Sequence, residues 1–197
     1  MGFDKAMLDV SGSPNALRLA RELCKVTSGV LVEVGPGFTH LTSVREAPTG
    51  SGPLAALAAG ASYLRRRCYA GPALVLACDL PFVDAAVLKV LAGWPGEASI
   101  VPVEEGVAQP LCARWSAAGL GLAVELVARG RRAMKALLEV ADVELVDVAE
   151  LAAQMPAHEG PLLADVDTPD DLGRFGVEPP QAPLTSGPGG AAGAEGG

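Results

Sequence analysis

No run of about 20 consecutive apolar residues occurs in the chain, which argues against a membrane-spanning helix. The opening Met1-Gly2-Phe3-Asp4-Lys5 also has none of the apolar core of a secretory leader, so the cytoplasm is the expected compartment. Basic residues are in short supply: 15 Lys and Arg stand against 23 Asp and Glu, for a formal net charge of −8. A nucleic-acid or anionic-membrane surface needs a basic face, so the balance argues against both partners. A phosphorylated ligand would have to be met by local positive groups or a metal. Cys24, Cys68, Cys78 and Cys112 include no C-x-x-C pair, and His40 and His158 show no zinc-ligand spacing. The thiols are expected to be buried and structural. There is no internal repeat.

What is present is enough apolar material for one core. The chain has 197 residues, 50% of them hydrophobic, and a mean hydropathy of +0.33, which suits a single α/β domain. Ser13 and Pro14 read as a helix start, followed by Leu17, Ala20, Leu23 and Cys24 at helical spacing. Val30 to Val34 reads as a strand. Gly52 and Pro53 open a second helix that ends in Arg65, Arg66 and Arg67, cations that suit the negative end of the helix dipole. A strand at Ala73 to Ala77 precedes a helix capped by Asp84, then a strand at Ile100 to Val103 and an extended segment at Ala108 to Trp115. Helices at Ala117 to Val127 and Ala133 to Val140 follow, then a strand at Val143 to Val148 leading into a short helix. A last strand at Leu162 to Val166 and a helix from Thr168 close the domain. Strand and helix alternate, so the sheet is expected to be mostly parallel. The domain spans residues 1–176. Residues 177–197 are Pro, Gly and Ala with almost no large apolar residue, and read as a disordered tail.

The most informative stretch is Ala73-Leu-Val-Leu-Ala-Cys-Asp-Leu-Pro-Phe82. A short apolar strand delivers the carboxylate of Asp79 at its carboxyl end, where open α/β sheets bind ligands. Pro81 lacks an N–H and biases Leu80 away from helix, so the chain turns there and leaves Asp79 at the sheet edge, a place for a hard cation.

Four further segments fall in order with that stretch: Gly2-Phe3-Asp4-Lys5-Ala6, Gly50-Ser51-Gly52-Pro53-Leu54-Ala55, Gln109-Pro110-Leu111, and Asp165-Val-Asp-Thr-Pro-Asp-Asp-Leu172. Together the five segments resemble the molybdenum cofactor guanylyltransferases, within the MobA-like nucleotidyltransferases. The last one stands where that family has Asn-x-Asn-Thr-Pro-Glu-Asp-Leu, with both asparagines replaced by aspartate. The resemblance implies a three-layer α/β/α sandwich of the nucleotide-diphospho-sugar transferase-like, Rossmann-like kind. It also implies transfer of GMP from magnesium-bound GTP to molybdenum-molybdopterin, with Mg2+ as cofactor. GTP and molybdenum-molybdopterin are then the partners, with transient contacts to molybdoenzymes or other cofactor-biosynthesis proteins. Alternatives within the same fold are another nucleotide or phosphorylated acceptor, or a noncatalytic nucleotide-binding homologue.

The resemblance assigns roles residue by residue. Lys5 would clamp the β- and γ-phosphates, with Asp4 orienting it, and Asp79 would hold the metal. Gly50, Gly52 and Pro53 form a permissive turn before a helix N-terminus, used in the family around guanine and ribose. Glu46 stands where the family commonly has an aspartate toward the base or sugar. Glu33 falls at a strand end near the nucleotide, or is a solvent-facing glutamate. Gln109 and Pro110 would help form the acceptor side of the cleft. Asp165 and Asp167 share one face of a strand and would support the metal or the pterin, or weaken a polyanionic acceptor. Arg131 and Arg132 would steer the acceptor or decorate the surface. One departure stands out: the family begins with a strand and a Leu-Ala-Gly-Gly-x-x-x-Arg-Met-Gly loop, and Met1-Gly2 aligns with the last two residues of that loop. A start assigned too far downstream is favoured over a chain that truly lacks the loop. In the second case a central strand position is empty and its neighbours have unpaired backbone groups.

Overall fold

Strand and helix alternate along nearly the whole path, as the apolar spacing requires. The computed structural model describes residues 7–10, 12–155 and 162–163. Lys5, Asp165, Asp167, the strand and helix expected after Leu162 and the tail lie outside them, apart from Leu162 and Leu163. The elements are α1 (Asn15–Val26), β1 (Val32–Val34), β2 (Thr42–Val44), α2 (Pro53–Arg66), β3 (Ala73–Leu76), α3 (Ala85–Gly93), β4 (Ser99–Glu104), β5 (Val107–Ala108), β6 (Cys112–Trp115), α4 (Ala117–Ala128), α5 (Met134–Leu138), β7 (Val143–Asp147) and α6 (Val148–Ala153). No helix among the described residues is long and apolar enough to cross a membrane.

The period-two alternation of the strands divides the core between two faces of the sheet. Leu74, Leu76, Ile100, Cys112 and Val146 pack with α1, α3 and α6, while Val75, Val101, Ala113 and Trp115 pack with α2, α4 and α5. The result is the expected three-layer α/β/α sandwich. β1 and β2 pair in parallel, as do β4 and β7, whereas β6 is antiparallel to both β3 and β4. β5 pairs antiparallel with β4 through a tight hairpin, so among the described strands five run one way and β5 and β6 run against them.

The sheet is in two pieces. β1 and β2 form one, and β3, β6, β4, β5 and β7 form the other. Between β1 and β3 lies a cleft of about 400 Å³ lined by aliphatic side chains, among them Leu19, Leu23, Val34, Leu57, Ala61 and Leu76. One end of the gap is lined by Leu31 and Pro72, the other by Val34 and Leu76 through Asp79, so β1 and β3 run in the same direction on its two sides. The Ala77 amide donates to Leu111 O at 2.6 Å. The register then turns the amides of Ala73 and Val75 toward β6 and those of Leu74 and Leu76 toward the cleft. Among the described residues, no strand stands between these two parallel edges.

Several boundaries differ from the sequence reading for local reasons. Pro14 rather than Ser13 is the N-cap of α1, and Ser13 Oγ instead accepts from Arg21 at 3.2 Å. The extended segment from Ala108 to Trp115 is interrupted: β4 pairs Val103 with Ala108 but Ile100 with Arg114, which puts three extra residues between the two pairings, while Gln109 N still donates to Pro102 O at 2.8 Å. Trp115, fully buried, secures this bulge by donating its indole N–H to Pro110 O at 2.9 Å. Asp84 does cap α3, accepting from Ala86 and Val87 amides.

Three of the four cysteines correct the expectation of buried thiols. Cys24, Cys68 and Cys78 are exposed, on α1, just past α2 and in the turn after β3. Cys112 is buried, and burial together with the nearby Glu104 charge pushes its thiol up to about 12, so it stays protonated. Cys68 sits at φ 60°, with its amide donating to Arg65 O and the Tyr69 amide to Leu64 O. That is a Schellman termination with a non-glycine residue in the left-handed position. Cys68→Gly is expected to stabilise the fold by about 1 kcal/mol, read as a rise in Tm.

Candidate active site

The cleft between β1 and β3 opens at the carboxyl ends of these strands, and Asp79 sits there. It lies beyond the last residue of β3 and lines the cleft together with Pro53, Glu33 and Leu111. Two sides of the molecule fix the backbone leading into it. From the sheet, Ala77 N bonds Leu111 O, so the bulge carrying Gln109 and Pro110 is tied to the chain two residues ahead of Asp79. From α1, the Asn15 side-chain amide donates to Cys78 O at 2.8 Å. The structure therefore brings together Asp79, the Gln109–Leu111 bulge and the start of α2.

The turn before α2 has the permissive backbone expected of it. Gly50 and Gly52 adopt φ of 78° and 90°, and Gly52 is the N-cap of α2, with Pro53 in the first turn. Its carbonyl accepts from Ala55 and Ala56 amides. A Cβ on Gly52 would meet the Arg132 carbonyl at 3.7 Å, which places the α4–α5 connection beside this turn. The Arg132 guanidinium itself bonds Val127 O at 2.8 Å and Arg131 O at 3.0 Å. Glu46 folds back so that its Oε1 accepts from Gly50 N at 2.7 Å, closing the turn.

Glu33 is neither a plain surface glutamate nor a residue turned wholly to the cleft. Its Oε1 accepts from Gly37 N and Phe38 N at 2.9 and 2.6 Å, and its Oε2 from Thr39 N and Thr39 Oγ1 at 2.8 and 2.7 Å. Partial burial pushes its carboxyl up, but the Thr39 hydroxyl and the amides of Phe38, Thr39 and Gly37 together bring it below the ordinary value of 4.5. A depressed folded pKa means that this anchoring is complete above the ordinary carboxyl pKa and is lost as pH falls through the folded value. Glu33→Gln is expected to speed amide exchange at Gly37 to Thr39 severalfold at neutral pH. In the unaltered protein the same amides are expected to lose protection only as pH falls below the ordinary carboxyl range.

Among the described residues no three Asp, Glu, His or Cys side chains converge as a metal cage. A single carboxylate at a cleft mouth suits Mg2+, which takes few protein ligands and keeps waters and phosphate oxygens as the rest. The residues present fit such an ion and do not resemble a zinc or calcium site.

A family model of the MobA-like NTP transferase domain matches residues 1–145. The chain belongs to that family. Solved structures with similar folds include the molybdopterin-guanine dinucleotide biosynthesis protein A of Archaeoglobus fulgidus, with TM-score 0.67, 22% identity and coverage of 88% of this chain and 89% of that one. A protein from Aquifex aeolicus VF5 follows, with TM-score 0.61, 16% identity and 78% and 80% coverage. A Mycobacterium tuberculosis H37Rv protein has TM-score 0.61, 17% identity and 89% and 90% coverage. At these identities the likeness concerns the fold. A search of curated protein sequences found no match. In this MobA-like NTP transferase the cleft joins the ends of β1 and β3, Asp79 and Pro53 at the head of α2.

Two residues at the site escaped the sequence reading. Asn15 is completely buried, and Arg18, one turn on, places two guanidinium nitrogens on the loop after Asp79. The available signal was polar residues at positions 15, 18 and 22, a helical i, i+3, i+7 stripe beside the apolar stripe of α1.

Proposed function

We propose that this protein transfers GMP from magnesium-bound GTP to the phosphate of molybdenum-molybdopterin, releasing pyrophosphate. The observation that carries the reading is Asp79, set beyond the end of β3 in the same cleft as Pro53 at the head of α2, within a MobA-like NTP transferase domain. The Archaeoglobus fulgidus relative is named for molybdopterin-guanine dinucleotide biosynthesis, which favours this acceptor and nucleotide.

In this reaction an acceptor phosphate oxygen attacks the α-phosphorus in line. A new P–O bond forms, the bond to the bridging oxygen of the β-phosphate breaks, and its electron pair leaves with pyrophosphate. No covalent enzyme intermediate is needed, because the acceptor phosphate is already a competent nucleophile. Asp79 would hold Mg2+, which when bound would supply positive charge to offset that gathering on the phosphate oxygens. Lys5 clamps the β- and γ-phosphates. Gly50, Gly52 and Pro53 leave room for base and ribose beside the N-terminus of α2, the positive end of its dipole. Glu46, while buttressing Gly50, retains acceptor capacity toward the N1–H and exocyclic amine of guanine. Gln109 and Pro110, in the bulge beside the Asp79 strand, bound the acceptor side, with Asp165 and Asp167 assigned to the metal or pterin and Arg131 and Arg132 to steering. The same reading puts the protein in the cytoplasm.

The test is transfer of label from α-phosphate-labelled GTP to molybdenum-molybdopterin in the presence of MgCl2, with CTP and ATP in parallel. Label in the cofactor from GTP, with stoichiometric pyrophosphate, is the expected result. Selective use of CTP would remove the guanylyl assignment, and no transfer from any nucleotide would remove the enzymatic reading.

A further inference from the structure

The loop from Cys78 to Ala85 is held by one helix through successive turns. Asn15 Nδ2 donates to Cys78 O at 2.8 Å. Arg18 Nη2 donates to Leu80 O at 2.9 Å and its Nη1 to Val83 O at 2.7 Å. Glu22 Oε2 accepts from Ala85 N at 3.0 Å. The donors are coupled to one another, since Arg18 Nε donates to Asn15 Oδ1 at 2.9 Å. Burial lowers the Arg18 pKa, with Glu22 and Asp84 opposing that effect, and a guanidinium remains charged throughout ordinary pH.

We infer that Asn15 and Arg18 are positioning residues for Asp79, setting the direction of its carboxylate through the backbone on either side of it. This rests on the function proposed above. Three considerations support it. A carbonyl shares its peptide plane with the following N–H, so the bond to Cys78 O orients the very peptide that leads into Asp79. Leu80 O, bonded by Arg18, fixes the Leu80–Pro81 peptide, one residue beyond the peptide that follows Asp79, so the chain is held on both sides of the carboxylate. Finally, Pro81 and the turn leave these carbonyls outside any strand ladder, and Arg18 meets Leu80 O and Val83 O with two nitrogens of one rigid planar fork, a fixed spacing that the single nitrogen of a lysine does not supply. A carboxylate held this way meets a metal–triphosphate without reordering the loop.

The test compares Arg18→Met, Arg18→Lys and Asn15→Leu with Leu137→Ala, a core change on the opposite face of the sheet, away from the cleft, that lowers stability without touching this loop. Two readouts are taken on the full chain: amide hydrogen exchange across residues 79–85, and GTP-dependent transfer measured over a range of MgCl2 concentrations. Expected are at least tenfold faster exchange in the loop, an MgCl2 half-saturation raised about tenfold and a lowered kcat for Arg18→Met and Asn15→Leu, with KM for GTP at saturating MgCl2 changed less than threefold. Arg18→Lys should recover part of the loss, and Leu137→Ala should leave the MgCl2 half-saturation where it was. Equal MgCl2 half-saturation in the unaltered protein and in both loop-releasing variants overturns the positioning role while leaving the function intact. A shift in Leu137→Ala as large as theirs overturns it equally. Absence of any magnesium-dependent transfer in the unaltered protein overturns the function, and the positioning role falls with it.

Discussion

Asp79→Ala is expected to lower kcat/KM for GMP transfer by roughly 10² to 10³-fold while leaving the fold in place. The magnitude follows from removing one well-oriented charged group from a transition state whose stabilisation is electrostatic, about 3 to 4 kcal/mol. Stability should change little, because Asp79 follows a strand rather than filling the core, and the buried residues around it are Leu80 and Val83. Asp79→Asn is the sharper version. It keeps the shape of the side chain and removes the charge, so a loss nearly as large as that of alanine points to metal binding. Asp84 provides a contrast within the same loop: as the N-cap of α3, its replacement by alanine should cost about 1 kcal/mol of stability and much less activity. Steady-state kinetics and thermal melts on the three variants separate the roles. Turnover by Asp79→Asn within threefold of the unaltered protein would take the metal away from this residue.

The second large effect concerns the open strand position. A five-residue segment of Val, Ile and Leu, joined ahead of Met1 through a Gly/Ser linker of about eight residues that stands in for the family's loop, is expected to enter the cleft between β1 and β3 and raise Tm by about 10 °C. Burying each aliphatic side chain contributes about 1.5 to 3 kcal/mol, and ordering each residue costs about 1 to 2 kcal/mol. A few kcal/mol remain, each worth about 2 to 4 °C in a chain of this size. The cleft suits an extended segment because its walls are strand edges running the same way and its other surfaces are aliphatic side chains of α1 and α2. Amide exchange gives residue-level resolution: Leu74 and Leu76, whose amides face the cleft, should slow sharply, while Ala73 and Val75, already directed at β6, should change little. Binding of an apolar dye should fall in parallel. A segment of the same length made of Ser and Lys is the control, and equal stabilisation by both extensions would show that the cleft does not select a strand.

These two effects differ in how far they could be read beforehand. Asp79 was legible because its signal is local: an apolar run, a carboxylate, then a proline that forces the turn. The start of α2 was legible for the same reason, since glycine and proline act on their own backbone. The opening in the sheet could be anticipated only through the resemblance, and its aliphatic lining emerges from residues as distant as Leu19 and Leu76. Glu33 was readable as a strand-end carboxylate, but its four bonds to Gly37, Phe38 and Thr39 depend on how the following loop curls back. Gln109 and Pro110 were singled out, yet nothing in their neighbourhood announced a bulge, which arises because β4 pairs with β5 and β6 in two different registers.

By itself the order of residues determined most of the strands and helices and the carboxylate at a strand end, because these depend on periodicity or on the backbone limits of single residues, while the sandwich class and the family were legible through the resemblance that the motifs carry. Tertiary structure alone decided which helix grips the Asp79 loop, which cysteines face solvent and where the sheet parts. Those outcomes depend on hydrogen bonds and packing between segments more than 60 residues apart, such as Asn15 with Cys78, and no local rule carries information over that distance.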